Sequence, residues 1–125
     1  MNIPTKIQLN RQQLDGLYSL VEWLLQNYPA SDNAEQLLDD IIEGVRKKIR
    51  TKVESFSNRN SYSISLKRHE ALAYFIWMQQ LEPFIPKGLF VYELSVSSTL
   101  TNKIDMTYGT INGAKSNTLS LPQAN

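Results

Sequence analysis

The stretch DNAEQLLDDIIEGVRKKIRTKVESF, residues 32–56, decides the fold class. At roughly 100° per residue, Leu38, Ile41, Ile42, Val45, Ile49, Val53 and Phe56 fall within one arc and the remaining face is charged. Asp32 and Glu35 have the spacing of a capping box, with Asp in place of the usual Ser or Thr. A long amphipathic helix is therefore predicted from Asp32 to about Phe56.

Working back from it, Pro29 closes an earlier helix in which Leu14, Leu17, Val21, Leu24 and Tyr28 recur at helical spacing. Asn10 is placed to accept a free N–H of the first turn. The alternating run Lys6–Leu9 before it reads as a short strand. Working forward, residues 57–61 read as a polar loop and Tyr62–Leu66 as a second short strand. A helix over 67–81, ended by Pro83, is apolar almost all round through Leu72, Tyr74, Phe75, Ile76, Trp77 and Met78. Such a helix is covered on several sides, so it is expected at the centre of the core, where Ala71 and Ala73 admit a close neighbour.

Residues 89–104 carry two patterns. Phe90, Tyr92, Leu94 and Val96 alternate like a strand, whereas Leu89, Tyr92, Val96, Leu100 and Ile104 share one helical arc. The two nearly balance; helix is favoured. The sum is a mainly α domain of three to four helices with two short strands, over residues 1–106, followed by a polar tail, 107–125. An offset of 57 residues aligns Ile7, Leu9, Arg11, Leu24, Pro29 and Leu37 with Ile64, Leu66, Arg68, Leu81, Pro86 and Leu94. Both halves then read strand, helix, proline, helix. The identities are only about twice chance, so a duplication is one reading and generic resemblance is another.

With 125 residues there is room for one domain and a core that needs no staples. The chain has no cysteine, which excludes disulfides, thiolate metal sites and cysteine nucleophiles and leans towards a reducing, cytoplasmic compartment. Residues 1–10 lack an apolar run and do not read as a secretory signal. The longest apolar stretch, 71–78, is too short for a membrane span. A net charge of +1 leaves no global pull on polyanions, so any such role needs a local patch.

Catalytic motifs are not found. His69, the single histidine, sits in a first helical turn between Arg68 and Glu70 and reads as solvated. Glu35, Asp39 and Glu43 recur at i, i+4, i+8, but they lie on the charged face and suit the helix dipole, so they read as solvated too. No cofactor or metal is expected. The basic run Arg46, Lys47, Lys48, Arg50 and Lys52 is the strongest local charge signal. Arg46, Lys47 and Arg50 point to the solvent arc and are the candidate nucleic-acid contacts; Lys48 and Lys52 border the apolar arc, where their stems can cover it. Pairing of Glu43 with Lys47 and of Arg50 with Glu54 is expected at i, i+4. Trp23 breaks the pattern of its helix, pointing away from the apolar arc among Gln12, Gly16, Ser19 and Asn27. Either another segment covers it or a partner does.

These readings favour a non-catalytic interaction domain, an adaptor or subunit that self-associates through a helical face into a homo-oligomer or binds a protein partner, with Trp23, Lys48 and Lys52 as interaction candidates. A small nucleic-acid-associated protein using residues 46–52 is the alternative.

Overall fold

The computed structural model describes residues 3–55 and 60–109. The order is β1 (Thr5–Leu9), α1 (Arg11–Asn27), α2 (Asn33–Val53), β2 (Tyr62–Leu66), α3 (Arg68–Leu81), a 3-10 turn (Glu82–Phe84) and α4 (Val91–Tyr108). The mainly α reading with two short strands holds; of the stretch 89–104, residues 91–104 are helix and Leu89 and Phe90 belong to the turn before it.

The starts of the helices follow from their side chains. Asn10 accepts from Gln13 N–H at 2.8 Å, and Gln13 Oε1 accepts from Asn10 N–H at 2.9 Å. Lys67 precedes α3, where Glu70 reaches back to Lys67 N–H in the same way. At α2 half of the expected box forms: Asp32 accepts from Glu35 N–H, but the Glu35 carboxylate turns to Ser31 N–H and Oγ instead. That helix ends at Val53 rather than Phe56, which lies outside the described residues.

The strands pair antiparallel with Ile7 opposite Ile64, Thr5 opposite Leu66 and Leu9 opposite Tyr62. Under the 57-residue offset Ile7 corresponds to Ile64, Thr5 to Tyr62 and Leu9 to Leu66. Equivalent residues therefore exchange places across the ladder, as a two-fold axis between Ile7 and Ile64 requires. Which helices touch follows the same pattern. α1 and α3 each pack on both α2 and α4, β1 lies against α4 and β2 against α2. Buried Leu14, Gly16, Leu17, Leu20 and Val21 of α1 correspond to buried Ala71, Ala73, Tyr74, Trp77 and Met78 of α3.

Two expectations are corrected here. First, α3 is not the hub of the molecule. It is one corner of a four-helix ring, and α1, with Leu14, Leu17, Leu20, Val21 and Leu24 fully buried, is at least as deep. The reason is that Ile76, on the outer side of α3, remains 43% exposed, so its apolar circumference is not all covered. Second, the identity of Leu37 with Leu94 is not a structural equivalence. Buried Ile42, Val45 and Ile49 of α2 match buried Ser97, Leu100 and Ile104 of α4 at an offset of 55, because the path from Leu24 to Ile42 is two residues longer than its counterpart from Leu81 to Ser97 across the α3–α4 linker.

That linker makes a turn over 87–90, with Gly88 at φ 86° and Phe90 at φ 58°. Left-handed backbone costs a non-glycine residue about 1–2 kcal/mol, so the Phe90 ring must gain at least that where it packs. α4 also runs past the expected domain boundary at 106. Thr107 and Tyr108 are helical, because Tyr108 O–H donates to the Ile3 carbonyl and its ring lies 5.4 Å from the Arg68 guanidinium. The rest of the expected tail, 110–125, lies outside the described residues.

Candidate functional site

The two-fold arrangement creates two comparable clefts, one between α1 and α4 and one between α2 and α3. In the first, Trp23 sits at the α1 position that corresponds to Gln80 of α3. Its ring centroid lies 5.1 Å from that of Phe90 and 5.8 Å from that of Tyr28, the latter edge-on. Gly16 lets α4 come close: a Cβ there would stand 3.4 Å from Tyr92 and Glu93 side-chain atoms. Trp23 is thus half-buried by its own chain, and the polar-looking face of α1 is the one that receives the start of α4. Of the two expected covers, another segment of the same chain is the one seen here.

At the second cleft the same two positions carry Gln80, in place of Trp23, and Glu35, in place of Phe90. Both line a groove of about 540 Å³ between the first half of α2 and the second half of α3. Its floor is apolar, with Trp77, Leu38 and Leu81; Tyr28, Pro29 and Phe84 close one end. The groove continues past Glu35 and Gln80 to Leu37, Ile41 and Ile76. Leu37 is 65% exposed and Phe84 67%, so large apolar side chains stand at its edge without cover among the described residues. Tyr28 O–H donates to the Phe84 carbonyl at 2.9 Å and fixes that end.

The polar residues of the groove have one sign. Asp32, Glu35 and Asp39 line it, and among the described residues no Lys, Arg or His does. Partial burial and the neighbouring Glu35 hold the Asp39 carboxyl above its ordinary range, partly offset by Trp77. Glu35 and Asp39 were expected to be solvated; both are instead half-buried, where α2 lines the groove with α3. Glu43 takes a different course and is bound to Arg46.

The basic run does not form one surface. Arg46 is drawn in rather than solvated: its side chain is 15% exposed, bound to Glu43 at 2.6 Å, to Tyr18 Oη at 3.0 Å and facing Glu22 at 3.7 Å. Glu43 therefore pairs at i, i+3 with Arg46 and not with Lys47, and this pairing lowers its carboxyl. Arg50 pairs with Glu54 as expected. Lys48 Nζ donates to Glu70 at 2.6 Å and to the Ser65 carbonyl at 3.2 Å. Burial alone would raise the Glu70 carboxyl, but the hydrogen bonds from Lys48 and the Lys67 N–H hold it below its ordinary value. Lys47 stays exposed on the outer side. Lys52 is half-buried beside β2 in a shallow groove with Lys6 and Lys48, and Lys103 lines a matching groove beside β1.

His69 is exposed in the first turn of α3. Among the described residues no three metal-ligating side chains converge, and no helix is long and apolar enough to cross a membrane. Sequence reasoning singled out Trp23 but missed the groove opposite it. The signal available was the pair of Leu37 and Ile76, apolar residues off the centre of their helices' packed faces. No protein-family model, curated protein or solved structure matches this chain.

Proposed function

We propose that this chain is a non-catalytic interaction module that takes a segment of another protein into the α2–α3 groove. One observation carries the reading: of two equivalent clefts, one is filled by Trp23 and Phe90 and the other lies open with Leu37, Ile76 and Phe84 at its edge. Exposed apolar side chains around an apolar floor are what a binding groove requires, because the partner's burial supplies the free energy. The experiment compares proteins retained by the wild-type chain with those retained by a Leu37→Glu, Phe84→Glu variant and by Lys47→Gln. A partner kept by wild type and Lys47→Gln but released by the double variant is the expected result. A partner set indifferent to the groove would overturn the reading. Sedimentation of the same three proteins tells whether the occupant is instead a second copy, whose mass would fall in the double variant.

A second reading, association with nucleic acid, draws on the exposed strand face, where Lys6, Lys52 and Lys103 stand beside Ser63, Ser65 and Gln8. It moves the expected contacts from Arg46 and Arg50, which are occupied by carboxylates, to these three lysines. Phosphate contacts make affinity fall steeply with salt. Binding of a single-stranded oligonucleotide should then weaken in a Lys6→Gln, Lys52→Gln, Lys103→Gln variant, with a flatter salt slope. No binding at low salt removes this reading.

A further inference from the structure

We propose that the occupant of the α2–α3 groove is a cationic amphipathic segment of a partner protein, with one bulky apolar side chain seated between Glu35 and Gln80 and its lysines or arginines over Asp32, Glu35 and Asp39. This rests on the interaction reading above and goes beyond it by naming the chemistry of the partner.

The seat of the apolar anchor follows from the internal two-fold. Where α1 meets α4, the chain fills the cleft with its own indole at the Trp23 position, packed on the Phe90 ring. The α2–α3 cleft is formed by the counterpart helix pair and has an apolar floor in Trp77, Leu38 and Leu81, but Gln80 and Glu35 are too small and too polar to fill it. An aromatic or large aliphatic side chain brought in from outside would complete it as Trp23 completes its counterpart. The groove extends along α2 past Leu37 and Ile41, so it suits a segment with several anchors rather than a single residue.

The charge of the segment follows from the lining. Further along, Glu43 pairs with Arg46, Glu54 at the end of the helix pairs with Arg50, and exposed Asp40 accepts from the Gln36 amide. Along the groove Asp32, Glu35 and Asp39 have no ion-pair partner among the described residues. Asp32 and Glu35 are engaged only by N–H and O–H donors of the helix start. The carboxylates of Asp39 and Glu35 repel each other across one helical turn. Arriving Lys or Arg side chains would relieve that repulsion, whereas an acidic segment would add to it.

The test is selection from a library of displayed random 16-residue peptides against the full chain, with a Gln80→Trp chain as counter-selection. Gln80→Trp places the plug of one cleft into the other; Leu37→Glu, on the exposed rim, serves the same purpose should the first variant melt early. Selected peptides are expected to carry Trp, Phe or Leu anchors among Lys and Arg. They should bind the wild type at least tenfold more tightly than either variant. A Glu35→Gln, Asp39→Asn chain should bind them at least fivefold more weakly, with a reduced dependence on salt. Groove-dependent peptides with no basic bias, indifferent to the carboxylate variant, would overturn the cationic partner and leave the interaction reading standing. A library from which no peptide distinguishes wild type from both groove variants would overturn the two together.

Discussion

The α1–α4 and α2–α3 clefts are built by the same fold and end differently. One is closed by Trp23 on Phe90; the other has Gln80 and Glu35 at the corresponding places and stays open. Backbone architecture alone therefore does not make a site. Two substitutions at equivalent positions separate a piece of core from a groove with apolar edges and an acidic lining. The closed cleft also bears a cost that the open one avoids, since Phe90 accepts a left-handed backbone to bring its ring onto Trp23.

The largest effect should come from the floor that the open groove shares with the core. Trp77 is 2% exposed, and Trp77→Ala is expected to lower stability by about 3–5 kcal/mol in chemical denaturation. A loss under about 1 kcal/mol would mean the groove has no fixed floor. Next comes the plug itself. Trp23→Ala should cost about 2–3 kcal/mol, less than a full core tryptophan because Trp23 is half-buried, at unchanged sedimenting mass. A stable variant of altered mass would assign Trp23 to an interface between copies.

Filling the open cleft is the converse test. Gln80→Trp should raise stability by roughly 1 kcal/mol as the indole leaves water. Destabilisation by that amount or more would show that the two clefts are not counterparts. The smallest effect is electrostatic, and its sign differs between carboxylates. Glu43 and Glu70 are held below their ordinary values, so their stabilisation is complete above the unfolded carboxylate range and is lost as pH falls through the lowered folded values. Asp39 is raised, so its ionisation opposes folding, and stability from this group falls as pH rises through the carboxylate range. Thermal melts at neutral and acid pH should show Glu70→Gln destabilised at neutral pH and less so in acid. Asp39→Asn should be stabilised at neutral pH, with the gain shrinking in acid.

Much of the fold was legible because it rests on local rules. The spacing in α1, α2 and α3, the caps at Asn10 and Asp32, and the alternation of β1 and β2 all act within a few residues. Residues 89–104 were ambiguous because Tyr92 and Val96 belong to both the alternating set and the helical arc; packing of Val96, Leu100 and Ile104 into the core settles 91–104 as helix. The internal two-fold was half visible. The strand and first-helix offset matches the structure, but the spacing from α3 to α4 is two residues shorter between equivalent positions, and the Leu37–Leu94 identity masked that shift. The groove was not legible, since it depends on which faces of α2 and α3 meet. The same holds for Arg46, whose partners include Tyr18 and Glu22 from another helix.

The strand register has a consequence for assembly. Because Ile7 faces Ile64 on the axis, β1 of one molecule can pair with β2 of another through the same hydrogen bonds and side-chain contacts that it makes at home. Exchange of whole strand–helix–helix units between two chains would then leave every buried contact in place. What favours the single-chain form is the covalent connection between α2 and β2, which presents each half to the other at an effective concentration on the order of millimolar. Shortening that connection below the span it must bridge would favour exchange of halves between chains without altering one residue of the core.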